Sequence, residues 1–306
     1  MKKNLKMSAA ILAAVMVMGS LTACGGSSSD PTTAAAAKDT TAAAADSGSS
    51  AAADSGSATG DVTADVQKII DAGVLKVGVK TDVPCFSLQN TATGEYEGLE
   101  DDLAYNIAGK IFGCTTDEAK EKKLVEFQGV TAKTRGPLVE NGELDMVIAT
   151  FTITEERKET YNFSTPYFTD AVGLLVLKDS GINSIEDLDG KVIGVAQGST
   201  SQKGFEAYVA EKGINVKPTF EEFDGYPALA AALSAKNIDV FSVDRAILAG
   251  YRDDTNKLLD DRYAEQEYGV CTKKENTGLA ELVDGVVTDL KDSGKLAEMI
   301  KDWGIE

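Results

Sequence analysis

Patterns typical of strands and helices alternate along most of this chain, and the alternation starts twice. The segment "VLKVGVK" (residues 74–80) alternates in polarity and is rich in valine, which predicts a β-strand. Helical patterns and further strand candidates follow, as far as an apolar strand at residues 171–178. A capped helix at residue 184, a strand at 192–195 and a helix to about residue 212 begin a second series. Strands that alternate with helices favour mainly parallel sheets covered by helices, so the sequence predicts an α/β fold with two lobes.

The last part of the chain is predicted to return to the first lobe. The segment "YGVCTKKE" (residues 268–275) has the pattern of a strand, and helical patterns follow it to about Trp303. We therefore expect lobe 1 to contain residues 61–168 and 270–306, and lobe 2 with its hinge strands to contain residues 169–269. A chain of 306 residues is long enough for two domains of ordinary size.

The N-terminus has the pattern of a secretory signal. Three lysines precede an apolar run at residues 7–18, which is too short and wrongly flanked for a membrane-spanning helix. The run ends in "LTACG" (residues 21–25), which resembles a bacterial lipobox. We predict a lipoprotein signal peptide at residues 1–23 and a lipid anchor on Cys24 at the outer face of the cell membrane. The alternative is an ordinary signal peptide followed by a chance cysteine.

A low-complexity segment follows Cys24. Residues 25–60 are almost entirely Gly, Ser, Ala, Thr and Asp, which cannot form a packed core. We predict a flexible tether at residues 24–60 that holds the folded part away from the membrane, with a glycosylated stalk as the alternative.

The composition excludes several functional classes. The chain contains no histidine, which rules out Ser-His-Asp and Cys-His catalysis and zinc sites that contain histidine. Its 49 acidic and 30 basic residues give a net charge of −19, and removal of residues 1–23, with three lysines and no acidic residue, gives −22. Such a chain does not bind nucleic acid or anionic lipid through its overall charge, and no cofactor or metal is predicted.

Three cysteines remain after Cys24, namely Cys85, Cys114 and Cys271. An odd number at wide and irregular spacing argues against a disulfide framework. We expect free, mostly buried thiols, with one disulfide plus one thiol as the alternative.

One helix start carries a residue that is locally unfavourable. Thr154 is predicted to be an N-cap, and a capping box would place Glu or Gln three residues later, where this chain has Arg157. A cation in the first helical turn opposes the helix dipole, which favours anions there. A bound anion would resolve this conflict, whereas the simpler alternative is a solvated arginine on a helix surface.

Several long motifs resemble one protein family. The segments "FTITEERKETYNFSTPYF" (residues 151–168) and "GLEDDLA" (residues 98–104) resemble signature segments of the family 3 extracellular solute-binding proteins of amino-acid ABC importers. The shorter segments "GVKTDVP", "AKTRGPL", "VIATFTIT", "DGYP" and "FSVD" are most similar to the aspartate/glutamate-binding branch. The resemblance implies a type II periplasmic-binding-protein fold, in which two α/β lobes joined by two crossing strands close over one amino acid.

The resemblance also implies which residues bind the backbone of that amino acid. Arg157 corresponds to the arginine that binds the α-carboxylate, and Asp244 to the residue that binds the ammonium group. Thr150, Thr152 and Thr200 would add hydroxyl or backbone groups. Read without the family, Asp244 is equally well explained as the N-cap of the next helix, and the threonines as ordinary strand or turn residues.

Four further residues are predicted to contact the ligand side chain. In the aspartate/glutamate branch, the positions of Lys80 and Arg135 face the distal carboxylate, and Tyr226 and Ser242 are candidates for the pocket wall. Burying a carboxylate without a paired charge is costly, so two cations beyond Arg157 favour an acidic ligand over glutamine or an apolar amino acid. The alternative is that the cations are on the surface and that Tyr226 and Ser242 only pack.

The predicted function is therefore binding without catalysis. We expect a monomeric lipoprotein that captures aspartate or glutamate outside the cell and delivers it to an ABC transporter permease. Its alternatives are a binding protein for another polar amino acid such as glutamine, a dehydratase on the same fold, and an adhesin or sensor domain. A dehydratase would need a placed general acid, and the absence of histidine argues against one.

Overall fold

The computed structural model describes residues 62–305. The predicted signal peptide, the lipid anchor at Cys24 and the predicted tether lie outside the described residues. Within residues 62–305, no helix has the length and apolar character needed to cross a membrane.

Ten α-helices and fourteen strands form the described part of the chain. The helices are α1 (Ala64–Ala72), α2 (Leu99–Phe112), α3 (Thr116–Glu121), α4 (Arg135–Glu140), α5 (Glu155–Thr160), α6 (Ser201–Lys212), α7 (Tyr226–Ser234), α8 (Arg245–Ala249), α9 (Thr277–Asp292) and α10 (Lys295–Asp302), with a 3-10 helix at Ile185–Leu188. The strands are β1 (Leu75–Val79), β2 (Asp82–Val83), β3 (Ser87–Gln89), β4 (Tyr96–Glu97), β5 (Val125–Gly129), β6 (Met146–Val147), β7 (Tyr161–Phe163), β8 (Phe168–Leu177), β9 (Val192–Ala196), β10 (Thr219–Phe223), β11 (Val240–Asp244), β12 (Asn256–Leu258), β13 (Tyr263–Tyr268) and β14 (Cys271–Lys273).

The strands form two large sheets and one small one. The first sheet has the order β5-β1-β6-β14-β7, and the second has the order β10-β9-β11-β8-β12 with β13 also paired to β8. The chain passes from the first sheet to the second between β7 and β8, and returns between β13 and β14. After the return, the helices α9 and α10 follow β14.

The prediction of mainly parallel sheets is wrong, because both sheets are mixed. The pairs β1–β5, β1–β6, β9–β10 and β9–β11 are parallel. The pairs of β14 with β6 and β7, and those of β8 with β11, β12 and β13, are antiparallel. Every antiparallel pair of the two large sheets includes β8 or β14, the strands that directly follow the two crossings. The α/β class itself is confirmed.

The small sheet β2-β3-β4 was not predicted. In it, Tyr96 and Glu97 pair with β3. Strands of two or three residues are too short to show an alternating pattern, which explains the omission.

The core of the first lobe lies between its sheet and the helices α2 and α9. Helix α2 places Leu99, Leu103 and Ile107 on one face at a spacing of four residues, and each is fully buried. These side chains belong to one cluster with Val77 and Val287. Burying such a side chain contributes roughly 1.5–3 kcal/mol, so this face fixes α2 and its first turn against the sheet.

The cysteines are free in the described residues, as expected. Cys271 is buried, Cys114 is half-buried and Cys85 is exposed. The expectation of mostly buried thiols is therefore wrong for Cys85, which lies in a turn with φ +70°.

Asp101 in the first turn of α2 gives a stability prediction. The Ser87 hydroxyl donates to its Oδ1 at 2.9 Å, whereas Oδ2 has no hydrogen-bond partner among residues 62–305. Burial raises the pKa of Asp101 to about 8. Because the folded-state pKa is higher than the unfolded one, this group stabilises the fold most below pH ~4, and that contribution is lost as the pH rises to about 8. We expect Asp101→Asn to increase the free energy of unfolding by about 2 kcal/mol at pH 8 and by little at pH 4.

Urea denaturation of both proteins at pH 4, 6 and 8 measures this effect. An equal difference at all three pH values would show that Asp101 does not carry a buried charge at high pH.

Candidate ligand-binding site

The carboxyl ends of four central strands lie at the boundary between the two large sheets. Strands β1 and β6 contribute residues of the first sheet, and β9 and β11 contribute residues of the second. Open α/β sheets bind ligands at the carboxyl ends of their strands. The two sides touch here, because Arg157 Nη2 donates to the Gly198 carbonyl at 2.9 Å and Lys80 Nζ lies 4.5 Å from the centre of the Tyr226 ring.

Gly198 allows this close approach between the lobes. It has φ +76°, and a Cβ at this position would lie 2.9 Å from the Ala132 carbonyl oxygen. Beside it, Lys133 Nζ donates to Gln197 Oε1 at 2.8 Å. The structure therefore describes the two lobes in contact around the candidate site.

Arg157 lies at this boundary, at the start of α5. Thr154 is the N-cap as predicted, and its hydroxyl accepts from the Arg157 N–H at 3.1 Å. The guanidinium group donates to the Thr152 carbonyl at 2.6 Å as well as to Gly198. These carbonyl oxygens partly compensate the positive charge of Arg157 near the start of the helix. The sequence alone did not reveal these two hydrogen bonds. Burial lowers the pKa of Arg157 to about 9, so it remains a cation at neutral pH.

Arg135 lies beside Arg157 and is only 3% exposed. Its Nη1 donates to the carbonyls of Ala149, at 2.5 Å, and Thr150, at 3.0 Å. Its Nε has no hydrogen-bond partner among residues 62–305. Both guanidinium groups contact the Phe151 ring, at 4.2 Å for Arg135 and 4.5 Å for Arg157. The aromatic ring therefore holds two like charges close together.

Lys80 directly follows β1 and is 1% exposed. Its ammonium group lies 3.2 Å from Asp82 Oδ1 and over the ring of Tyr226. Burial lowers the pKa of Lys80, and the nearby Asp82 carboxylate opposes this change. Tyr226 is 2% exposed, and the contact of its ring with the Lys80 ammonium group joins the two lobes.

Asp244 lies at the end of β11 and is 6% exposed. The Tyr268 hydroxyl donates to its Oδ2 at 2.5 Å. Burial raises the pKa of Asp244 to about 7, and the hydrogen bond from Tyr268 counteracts this shift. Its side chain does not cap α8, so the N-cap alternative has no hydrogen bond to support it.

The three threonines differ in what their hydroxyl groups can do. Thr150 has φ +44°, and its hydroxyl has no partner among the described residues. The hydroxyls of Thr152 and Thr200 both donate to Gln266 Oε1 at 2.6 Å. The Gln266 amide is oriented by its Nε2, which donates to the Ala264 carbonyl at 2.8 Å. Because each hydroxyl has only one proton, Thr152 and Thr200 are available as acceptors and not as donors to a carboxylate.

Arg157, Thr152, Thr200 and Gln266 also line an open groove of about 940 Å³. The groove includes the start of α6, where backbone N–H groups of a helix terminus are available to an anion. This side of the site therefore suits a carboxylate.

Ser242 is not brought together with the other predicted residues. Its hydroxyl donates to the Gly173 carbonyl at 3.2 Å and is hydrogen-bonded to the Tyr263 hydroxyl at 2.7 Å. Tyr263 belongs to the core cluster of the second lobe, whereas Tyr226 packs on Phe241 in another cluster. Ser242 therefore packs within the second lobe, which was the alternative given for it.

Four residues of the site were not singled out from the sequence: Asp82, Glu100, Phe151 and Gln266. Glu100 is fully buried, and its Oε1 accepts from the Thr150 N–H at 2.6 Å and from the Tyr167 hydroxyl at 2.5 Å. Contacts of this kind join residues 50 and 67 positions apart in the chain, so no local pattern reveals them. The available signals for Glu100 were its place in the segment "GLEDDLA" and its position in the first turn of a helix with a buried face.

The arrangement suits a small molecule with charges of both signs. Cations, a carboxylate and unpartnered polar atoms of Arg135 and Thr150 lie close together in a mostly buried space. Among the described residues, no group of acidic and cysteine side chains could hold a metal ion.

Comparisons with known proteins identify the family. The family described as bacterial extracellular solute-binding proteins, family 3, matches residues 75–306. The chain is 41% identical over 216 residues to a glutamine-binding protein of Geobacillus stearothermophilus, covering 70% of this chain and 78% of that protein. It is 28% identical over 245 residues to the glutamate-binding protein GluB of Corynebacterium glutamicum, covering 76% of this chain and 79% of that protein.

Solved structures show the same architecture. An ancestral arginine-binding protein bound to arginine superposes with a TM-score of 0.64 at 30% identity, covering 76% of this chain and 98% of that chain. The predicted two-lobe α/β fold is confirmed, and the predicted family is confirmed, but the aspartate/glutamate branch is not. The chain belongs to family 3 of the bacterial extracellular solute-binding proteins and is a binding protein rather than an enzyme.

Proposed function

We propose that this protein is the extracytoplasmic receptor of an ABC transporter, and that its lobes close over one free acidic amino acid, aspartate or glutamate. The observation that carries the proposal is the grouping of Lys80, Arg135 and Arg157 where the two lobes meet. One cation suffices for an α-carboxylate, and two more remain for a second carboxylate.

In this proposal, Arg157 and the start of α6 bind the α-carboxylate. The guanidinium group is planar and donates in a fork, which suits a carboxylate. Asp244 binds the α-ammonium group, and the hydroxyls of Thr152 and Thr200 accept from it. The unpartnered Thr150 hydroxyl adds a donor or an acceptor. Closure then completes hydrogen bonds that neither lobe supplies alone.

Lys80 and Arg135 bind the distal carboxylate. Burial raises the pKa of Glu100 and of Asp244 to about 7, so these two carboxyl groups are only partly charged at neutral pH. Arg157 remains charged, and three cationic side chains, Lys80, Arg135 and Arg157, therefore face carboxyl groups that are only partly ionised. A ligand carboxylate would pair with these cations and would raise the pKa of Lys80 again.

Glutamine is the second candidate, and the comparisons favour it over an acidic ligand. The relative at 41% identity is named for glutamine, whereas the one named for glutamate is 28% identical. Asp82 gives this candidate a physical basis, because a carboxylate 3.2 Å from Lys80 places an acceptor beside a donor. A carboxamide group would match such a pair.

Isothermal titration of the protein with aspartate, glutamate, glutamine, asparagine and histidine distinguishes the two candidates. If the acidic ligand is correct, Lys80→Met should weaken glutamate binding by at least ~10-fold and change glutamine binding less. Lys76→Met is a matched control, because Lys76 is exposed on β1, the strand that Lys80 directly follows. Preferential binding of glutamine by the unmodified protein would overturn the acidic assignment and support the second candidate. Binding of none of the five amino acids would overturn both.

The anchor and the partners remain part of the proposal. Lipidation of Cys24 would tether the receptor to the outer face of the membrane, close to its permease. A monomer suffices, because both lobes of the site come from one chain. Metabolic labelling with a fatty-acid analogue, compared between the natural chain and Cys24→Ala, tests the anchor.

A further inference from the structure

Glu100 is a buried acid directly behind the candidate pocket. It is 0% exposed, and its Oε1 accepts from the Thr150 N–H and from the Tyr167 hydroxyl. Its second oxygen, Oε2, has no hydrogen-bond partner among residues 62–305. A carboxylate with one free oxygen in an apolar setting is sensitive to every charge nearby.

One peptide unit connects Glu100 to Arg135. The N–H of Thr150 donates to Glu100, and the carbonyl of Ala149, on the other side of the same peptide bond, accepts from Arg135 Nη1 at 2.5 Å. The positive N–H end of this peptide dipole therefore points to Glu100, and its negative carbonyl end points to Arg135. The Tyr167 hydroxyl donates to the same Glu100 oxygen as the Thr150 N–H.

We propose that Glu100 is a specificity-determining residue, whose charge offsets Arg135 through the peptide bond between Ala149 and Thr150 and so sets the preference between glutamate and glutamine. This inference rests on the proposed function. Glu100 does not need to contact the ligand, because two charges that lie a short distance apart in a buried site of low dielectric constant interact strongly. It acts as a positioning residue for Thr150 at the same time.

The charge count supports this role. The Asp82 carboxylate offsets the charge of Lys80. In the proposed complex, Asp244 pairs with the ligand's ammonium group and Arg157 pairs with its α-carboxylate. Among the described residues of the site, Arg135 and Glu100 are then the two charged residues that have no other charged partner. With Glu100 ionised the remaining charge is balanced, which suits the neutral side chain of glutamine. With Glu100 protonated the charge of Arg135 is uncompensated, which suits glutamate.

The preference should consequently depend on pH. Burial raises the pKa of Glu100 to about 7, and Tyr167, Thr150, Arg135 and Lys80 each counteract this shift. As the pH rises through this range, Glu100 ionises and glutamate should lose affinity relative to glutamine. Asp244 titrates in the same range but binds the ammonium group of both ligands, so its effect cancels in the ratio of the two dissociation constants.

Titration calorimetry with glutamate and glutamine at pH 6, 7 and 8 tests the inference on the natural protein and on Glu100→Gln. The glutamine side chain retains an oxygen for the Thr150 and Tyr167 donors. At pH 8 the variant should favour glutamate about tenfold more than the natural protein does, and its preference should change less with pH. Deprotonation of Lys80 would lower glutamate affinity in both proteins, so the difference between them reports on Glu100.

Asp145→Asn is the control, because Asp145 is a half-buried carboxyl group of the same lobe, outside the site, whose pKa burial also raises. It should leave the ratio of dissociation constants unchanged. An equal change in both variants would show a general charge effect and overturn the inference.

Tyr167→Phe is a second variant that keeps the carboxyl group. Loss of the phenolic donor raises the pKa of Glu100, so the pH at which the preference changes should move upward. If the natural protein binds glutamate or glutamine and neither variant changes the ratio or its pH dependence, only the inference about Glu100 is wrong. If it binds neither amino acid, the proposed function and this inference both fall.

Discussion

Arg157→Lys should weaken binding of the amino acid at least ~100-fold, the largest loss we expect from a substitution that keeps the charge. The guanidinium group already donates to the carbonyls of Thr152 and Gly198 and lies against Phe151. Its remaining N–H groups are available to an α-carboxylate. A lysine ammonium has three donors and no planar fork, so it cannot keep both carbonyl contacts and also bind a carboxylate in a bidentate manner.

Isothermal titration with the tightest ligand of the amino-acid panel measures the loss. Arg252→Lys serves as the matched control, because Arg252 is exposed and outside the site. Thermal unfolding of both variants should show native-like stability, which separates a binding effect from a folding effect. A loss smaller than about threefold would mean that Arg157 supports closure through Gly198 without contacting the ligand.

The parts of the fold that the sequence predicted are those with local causes. The N-cap at Thr154 depends on a hydrogen bond to a residue three positions later, so its signal lies within one turn of chain. The strands β1, β9 and β11 are short and strongly apolar, and their carboxyl ends carry Lys80, Thr200 and Asp244 close to where the pattern stops. A residue's place at the end of a parallel strand is thus readable without any structure.

The parts that the sequence did not predict have causes far away in the chain. The face of β11 on which Ser242 lies is decided by its pairing with β8, in which Ser242 is opposite Leu174. Gln266 contacts Thr152 across 114 positions and Thr200 across 66. Such contacts depend on how two sheets are placed relative to each other, and periodicity within one strand contains no information about that placement. The mixed sheets have the same origin, since strand direction at the crossings follows from the path of the whole chain.

Asp244 must be ionised for its proposed role, although its burial favours the neutral form. It must be ionised to bind an ammonium group, yet burial raises its pKa to about 7. The Tyr268 hydroxyl and the two arginines favour the ionised form, and the neighbouring Asp170 carboxylate opposes it. A ligand ammonium group would therefore complete the compensation of a charge that the free protein holds only in part.

Asp244→Asn should consequently reduce affinity at least ~100-fold at pH 8 and remove the pH dependence of binding that this group causes. Below pH 7 the free protein carries a proton on Asp244 that must leave when the ligand binds, so affinity should fall up to about tenfold for each pH unit below 7.

Glu100 titrates in the same range, and titration calorimetry is therefore compared between Glu100→Gln and the double variant Glu100→Gln with Asp244→Asn. The first should lose affinity between pH 7 and 5, and the second should bind weakly with little change. Asp254→Asn, at an exposed position, is the control for removal of a carboxylate. An equal pH slope in both proteins would mean that another group titrates and that the ligand's ammonium does not bind at Asp244.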